Sequence, residues 1–155
     1  MLSTSTGLPC AITLDSDTPR AKLGDLYETY DSTYGNRIWR YIQNKSGGAY
    51  SQGLGVMQED GTDAYETTLS GASTPNARMM GVAQHTISNG YYGFVLADGR
   101  GKVKASAAAI SANTGLKAVA NGLFTDGTIG TDELPVFAHE AAAAAALATA
   151  TIRCL

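Results

Sequence analysis

Charged side chains are scarce in this chain of 155 residues, since Asp, Glu, Lys and Arg form 16% of it, against about a quarter in an average soluble domain. The 11 Lys and Arg residues are scattered and the net charge is −3, whereas nucleic-acid binding requires clustered cations. The densest group, Arg37, Arg40 and Lys45, is interleaved with Trp39 and Tyr41 at the alternating spacing of an ordinary two-faced strand. We therefore expect no nucleic-acid partner.

Cysteine and long apolar runs are also rare. Cys10 and Cys154 lie near opposite ends of the chain, without CxxC spacing or a neighbouring histidine, so neither a zinc site nor a disulfide scaffold is predicted. Whether the two thiols pair is left open. No stretch approaches the roughly 18 apolar residues of a membrane-spanning helix, and residues 1–20 lack the basic and apolar regions of a signal peptide. We expect a soluble protein without a membrane partner.

Sequence patterns that carry catalysis or ligand binding are missing as well. His85 and His139 are the only histidines, and they lack the paired spacing of a metal site. The run Gly-Arg-Gly-Lys at 99–102 lacks the spacing of a phosphate loop and predicts a β-turn instead. The glutamates that could form an acid–base pair are scattered: Glu66, Glu133 and Glu140. We predict that the protein is not an enzyme and has no catalytic, metal-binding or cofactor-binding residues.

Turn and strand signals are what the chain does contain, with the clearest at residues 81–105. Asn89-Gly90 predicts a type I′ hairpin turn, and Asp98-Gly99 predicts a second tight turn a few residues later. The residues around both turns are β-branched or aromatic and suit a half-buried sheet. Strand alternation places Tyr91 and Tyr92 on opposite faces, the outward one being a candidate subunit contact. Trp39 is expected in the core.

The whole chain predicts an all-β fold, a small β-sandwich or barrel of roughly seven to nine short antiparallel strands. Strands are predicted near 22–30, 37–43, 53–58, 78–87, 134–139 and 148–155, with a short apolar element at 116–124. Residues 59–75 predict a polar loop, and the alanines at 141–146 predict a docked turn or loop because so short a helix is marginal. Residues 1–20 lack periodicity and predict an extended N-terminal arm on a single β domain, 21–155.

Several motifs follow one another in a recognisable order. A Gly-and-aromatic strand contains RIWRYI at 37–42, GVA follows at 81–83 and GYYGFV at 90–95, and the chain closes with an Ala-rich segment and TIRCL at 151–155. From about Leu23 to Leu155 this succession resembles the capsid decoration, or cement, proteins of tailed bacteriophages. Its motifs are mostly turn and core residues.

The resemblance implies a structural virion protein that binds the outer surface of a phage head and bridges capsomers. It implies the major capsid protein as partner, a homotrimer as the assembled state, and synthesis in the host bacterial cytoplasm. We also expect the N-terminal arm to become ordered only on the capsid. The alternative is a receptor- or glycan-binding module of a phage tail fibre or spike, although the chain has no heptads or repeats typical of a fibre stalk.

Overall fold

The computed structural model describes residues 8–59, 64–69, 78–132 and 134–155. These residues form ten strands: β1 (Leu26–Asp31), β2 (Gly35–Asn44), β3 (Gly55–Gln58), β4 (Glu66–Leu69), β5 (Met79–Ala83), β6 (Tyr92–Lys104), β7 (Thr114–Ala118), β8 (Phe124–Asp126), β9 (Val136–Ala138) and β10 (Leu147–Arg153). A short 3₁₀ turn, Ala120–Gly122, precedes β8. The predicted all-β fold is confirmed, with more strands in the described residues than the roughly seven to nine expected from sequence.

Strand β4 lies inside the segment 59–75, where a polar loop was expected. It pairs antiparallel with β3 and parallel with β2, through Gln43 opposite Glu66 and Asn44 opposite Thr67. Thr67 is fully buried, and its hydroxyl donates to the Gln43 carbonyl at 2.8 Å and lies 2.9 Å from the Tyr50 hydroxyl. A strand whose buried residue is a hydrogen-bonded threonine has no apolar pattern in the sequence, so this strand was not predicted. Its parallel pairing with β2 was unexpected for the same reason.

The strands close into two hydrogen-bonded rings that share β6. In the first ring, β2, β4, β3, β5 and β6 pair in succession, and β6 pairs again with β2. Its interior holds a small cluster of fully buried residues: Ile42, Tyr50, Val56, Ala83, Ile87 and Val95. In the second ring, β6 continues to β10, β9, β7 and β8, and an isolated bridge between Ala105 and Phe124 returns to the end of β6. A larger core cluster lies against both rings.

The dipeptide Asp98-Gly99 does not form the predicted turn, because β6 runs through it for 13 residues. The pairing of β2 with β6 shifts here, from Ile38 opposite Asp98 to Trp39 opposite Leu96, so one extra residue bulges out of β6. Gly99 has φ +112°, and a β-carbon there would lie 2.8 Å from the Asn36 carbonyl oxygen. The extra residue is Ala97, and Gly99, two residues later, permits the close backbone approach beside the bulge rather than a chain reversal. The predicted β-turn at 99–102 is wrong for the same reason.

A turn does form at Asn89-Gly90, but it is not the predicted type I′ turn. Gly90 has φ +81° while Asn89 is not among the residues of positive φ, and the Tyr91 amide donates to the Ser88 carbonyl at 3.1 Å. Positive φ at the second central residue alone is typical of a type II turn. The residues beside it do not pair with each other, since Ile87 bridges to Tyr50.

The described part of the predicted arm is docked on the domain. We call residues 8–25 the strap. Ser16 forms an antiparallel bridge with Tyr92, the Arg20 amide donates to the Tyr41 hydroxyl at 2.8 Å, and the Asp15 carboxylate accepts from the Ser88 hydroxyl at 2.6 Å. Residues 8–20 thus contact the domain at several points, and the expectation that the arm becomes ordered only on the capsid stays a prediction. Residues 1–7 lie outside the described residues, and the domain boundary at residue 20 stays a prediction.

The aromatic residues below the strap occupy the positions expected from strand alternation. Trp39 is 2% exposed, which confirms its place in the core, and Tyr41 is 1% exposed. The Tyr41 ring lies 4.9 Å from that of Phe94 and stacks on that of Tyr92 at 6.3 Å. Tyr91, the residue before, points outward and is 36% exposed. The Tyr91 side chain therefore remains the candidate subunit contact of the pair.

Alanine substitutions at three glycines distinguish the effect of steric crowding near the bulge on stability from the effect of a positive φ angle. Gly99→Ala should lower the free energy of unfolding by about 3 kcal/mol, because the new β-carbon meets backbone and φ is positive. Gly47→Ala, at φ +84° in open space, should cost about 1 kcal/mol. Gly48→Ala, with open space and no positive φ, should change stability little. Urea unfolding measures all three, and equal midpoints for Gly99→Ala and Gly48→Ala would contradict the close backbone approach at Gly99.

Candidate functional site

The second ring presents a regular outer face to solvent. Residues directly opposite each other in antiparallel strands share a face, and β6 and β10 pair Asp98 with Arg153, Arg100 with Thr151, Lys102 with Thr149 and Lys104 with Leu147. Residues between them, such as Val103 and Ala148, are fully buried. The outer face consists of Asp98, Arg100, Lys102, Lys104, Lys117, Phe137, Leu147, Thr149, Thr151 and Arg153.

This outer face is basic, although the chain as a whole is acidic. It carries five cations, Arg100, Lys102, Lys104, Lys117 and Arg153, of which three come from alternate positions of β6. Three carboxylates lie on it or pair with it, those of Asp98, Asp132 and Glu140, so its net charge is +2 on a chain of −3. Within the described ranges, Arg100, Lys104 and Arg153 have no ion-pair partner at 4 Å or less. These three cations are available to an acidic partner.

One carboxylate fixes the centre of the outer face. Oε1 of Glu140 accepts from the Thr149 amide at 2.6 Å, from the Thr149 hydroxyl at 2.7 Å and from Nζ of Lys102 at 3.1 Å. Lys102 also donates to the Thr149 hydroxyl at 2.7 Å. The Thr149 hydroxyl above all, then its amide and Lys102, lower the pKa of Glu140 to about 2. Glu140 therefore stays ionised and attaches the loop before β10 to β6.

Two exposed ring side chains, Phe137 and His139, lie beside the basic residues, and we call this pair the aromatic ledge. Phe137 is 44% exposed, and its ring meets that of His139 edge-on at 5.8 Å. Nε2 of His139 lies 2.6 Å from the Thr151 hydroxyl. A depression of about 370 Å³ runs along the ledge between Leu134 and Arg153. Exposed aromatic and Arg side chains around a shallow hollow are typical of the central residues of protein interfaces.

The three cationic residues that lie closest together in the sequence each bond to partners within the fold. Arg37 pairs with Asp31 at 3.1 Å and Lys45 with Glu66 at 3.5 Å. Arg40 donates to the carbonyls of Met80 at 2.9 Å and Cys154 at 3.1 Å. All three side chains are thus used within the fold, as expected for a two-faced strand. The absence of a nucleic-acid partner stays a prediction.

The two histidines lie in different surroundings. His139 is exposed on the ledge, whereas His85 is partly buried after β5, and burial lowers the pKa of its ring against the opposing charge of Asp15. Cys10 and Cys154 are both free thiols. Among the described residues, no group of three or more His, Cys, Asp or Glu is placed to hold a metal ion. In the same ranges no helix is long and apolar enough to cross a membrane.

The basic outer face is the feature that sequence reasoning missed. Its signal was present as Arg100, Lys102 and Lys104, which alternate along one strand. The interpretation of 99–102 as a turn hid that alternation. The contribution of Arg153 depends on the pairing of β10 with β6, which no local pattern reveals. The expectations of no catalytic, metal or cofactor residue and of no enzymatic activity stay predictions.

Comparison with known proteins finds a likeness in structure rather than in sequence. No protein-family model matches the chain, and no curated protein matches it significantly. The fold is similar to that in the crystal structure of the N base of the head fiber gp8.5 of bacteriophage phi29, with a TM-score of 0.55. The match covers 74% of this chain and 93% of that one at 15% sequence identity. At this identity the likeness shows a common fold.

The Glu140 contacts make the stability of the outer face depend on pH. Because the folded-state pKa is lowered from 4.5 to about 2, this stabilisation is present above pH 4.5 and is lost as the pH falls towards 2. Glu140→Gln should therefore unfold at lower temperature than the wild type at neutral pH, and the difference should shrink through that acidic window. Thermal unfolding measured by circular dichroism checks this, with Glu28→Gln on β1 as control. A difference that is constant with pH would contradict the assignment.

Proposed function

We propose that this protein is a structural protein of a tailed-phage virion, which binds the outer surface of the head through its basic outer face and bridges capsomers. The observation that carries the proposal is a solvent-facing β-face with five cations and an aromatic ledge on an otherwise acidic chain. The motif succession supports a role on the phage head, and the fold shared with the base of a head fiber is compatible with it.

The chemistry of the outer face defines the partner it fits. Arg100, Lys104 and Arg153 lack carboxylate partners among the described residues, so an acidic surface on the major capsid protein would pair with them. Such charges increase the association rate and fix orientation, while burial of an aromatic residue such as Phe137 contributes affinity. Stable complexes bury about 1,600 Å². An interface of this kind on neighbouring capsomers adds binding free energy that must be lost before the shell opens.

Mature heads emptied of DNA provide the direct test. The purified chain should co-sediment with heads of the phage that encodes it and saturate at many copies in a fixed ratio to the major capsid protein. Saturation at a few copies per particle would instead indicate a vertex, fibre or spike position, which is the alternative function. Absence of binding would overturn the proposal.

Charge reversal tests which face makes the contact. The double variant Arg100→Glu with Lys104→Glu should weaken head binding by about tenfold at low ionic strength, because it places acids against an acidic partner. The matched control, Arg20→Glu with Lys22→Glu, makes the same change of charge in the exposed strap. The difference between the two should shrink as added salt screens the charges. Equal binding by both double variants would exclude the outer face.

A homotrimer is part of the proposal. Among the described strands, β1 ends the strand order and pairs with β2 alone, so its other edge is available for contact between subunits. Exposed Tyr30 lies on this strand. Sedimentation equilibrium should give three times the chain mass of 16.1 kDa. A mass of one chain at micromolar concentration would contradict the trimer without affecting the basic outer face.

A further inference from the structure

A short loop lies at the edge of the basic outer face, between β8 and β9. We call residues 127–132 the β8–β9 loop, and their sequence is Gly-Thr-Ile-Gly-Thr-Asp. Ile129 is 88% exposed, the highest value for a large hydrophobic side chain among the described residues. A single exposed apolar residue is ordinary on a protein surface. The rigidity of this loop and the residues around it distinguish Ile129 from that ordinary case.

The β8–β9 loop is held closed by its own hydrogen bonds. The amides of Thr131 and Asp132 both donate to the Thr128 carbonyl, at 3.2 and 3.0 Å. Oδ2 of Asp132 accepts from the Thr128 amide at 2.9 Å. Gly130, with φ +84°, supplies a positive backbone angle within the turn. The loop therefore holds Ile129 in a defined position, so that little conformational entropy is lost when a partner covers it.

Two contacts attach this region to the outer side of β7. Nζ of Lys117, one of the five cations of the outer face, lies 3.3 Å from Oδ2 of Asp132. Gly115 lies directly opposite Phe137 of the outer face. A β-carbon at Gly115 would clash with the side chain of Leu134, which therefore lies across the outer side of β7 just after the loop. The β8–β9 loop thus belongs to the same surface as the basic residues.

Exposed apolar side chains are concentrated on this surface. Six large hydrophobic side chains are exposed among the described residues, and three of them are Ile129, Phe137 and Leu147. Phe137 lies opposite Thr151 in the outer face, and Leu147 lies opposite Lys104. Exposed apolar residues that gather on one surface mark an interaction site, whereas scattered ones do not. Ile129 has the most surface to bury and so the most to contribute to affinity.

The charges beside the loop define the partner. Arg100, Lys104 and Arg153 have no carboxylate within 4 Å in the described ranges, so they fit an acidic surface. At the loop itself the charge of Lys117 is balanced by Asp132. The complementary surface is therefore acidic opposite β6 and β10, and it is uncharged and apolar where it meets Ile129.

We propose that Ile129 is the apolar anchor of the head contact and inserts into an apolar pocket beside an acidic surface of the major capsid protein. This proposal rests on the proposed attachment of the basic outer face to the phage head. In such a contact the cations increase the association rate and fix orientation. Burial of Ile129 slows dissociation, which is where most of the affinity of related interfaces is determined.

Co-sedimentation with emptied heads tests the anchor on the full chain. Ile129→Val removes one methylene group and should weaken binding by about fourfold, whereas Ile129→Ala should weaken it by about tenfold or more. The matched control is Thr131→Ala, which shortens an exposed β-branched side chain of the same loop and should leave binding unchanged. Because both positions are exposed, all three variants should unfold at the wild-type temperature.

Ionic strength distinguishes the anchor from the charges. Added salt screens interactions between charges, but it does not screen the burial of an apolar side chain. The affinity ratio of wild type to Ile129→Ala should therefore stay the same from low to high salt. Over the same range, the effect of Arg100→Glu with Lys104→Glu should shrink.

Asp132→Ala tests whether the loop must be held closed. This variant removes the bond to the Thr128 amide and leaves Lys117 without its carboxylate, so the outer face gains one positive charge. If charge alone determined affinity, the variant would bind an acidic partner more tightly. The anchor predicts binding weaker by several-fold at high salt, where the added charge is screened and Ile129 is no longer preorganised.

The outcomes separate this proposal from the proposed function. Heads that bind wild type, Ile129→Ala and Thr131→Ala equally would overturn the anchor and leave head attachment intact. A loss for Ile129→Ala that disappears at high salt would also overturn it, because an apolar contact is not screened. Absence of binding by the wild type would overturn both proposals. A loss for Ile129→Ala at both salt concentrations, with Thr131→Ala unchanged, supports the anchor.

Discussion

Strand β6 belongs to two hydrogen-bonded rings, and this double membership constrains the rest of the fold. Along its length it pairs with β2, β5 and β10. Its first half is buried on both faces, with Val95 in the first ring and Phe94 against the larger core. Beyond the bulge at Ala97 only one face stays buried. The same strand is therefore an interior element at one end and a surface element at the other.

This change along β6 explains where the charges of the chain lie. A strand buried on both faces cannot carry cations, so the first half is apolar, whereas the half paired with β10 alternates buried residues with Arg100, Lys102 and Lys104. The bulge sets which residues of the second half face outward, since a shift by one residue reverses the faces. The basic outer face thus depends on a bulge beside Asp98-Gly99, the dipeptide that was predicted to form a turn.

Local patterns were sufficient for the elements whose side chains alternate between apolar and polar. Strand β2, with Trp39 and Tyr41 on one face, and the terminal strand β10 were both predicted close to their observed positions. Strand β4 was missed because its buried residue, Thr67, is polar and satisfied only through partners distant in sequence. The dipeptide Asp98-Gly99 was wrongly predicted to form a turn, because β2 and β10 pair with β6 on its two sides and hold the chain extended there.

The candidate site was beyond sequence reasoning for a related reason. The outer face combines β6 with β10, and β10 with β9. It requires segments that are far apart in the chain. The sequence could identify exposed charges and aromatic residues, but not which of them lie side by side.

The docked strap also has a consequence for how newly made chains reach this fold. Ser16 and Asp15 are synthesised early, yet their partners Tyr92 and Ser88 lie far along the chain, as does the β6 partner of β2. Pairings so distant in sequence form slowly because a large loop must close first. Until β6 leaves the ribosome, Trp39 and Tyr41 lack the Phe94 and Leu96 side chains that belong to the same core cluster. Folding is therefore completed late, once both rings can close.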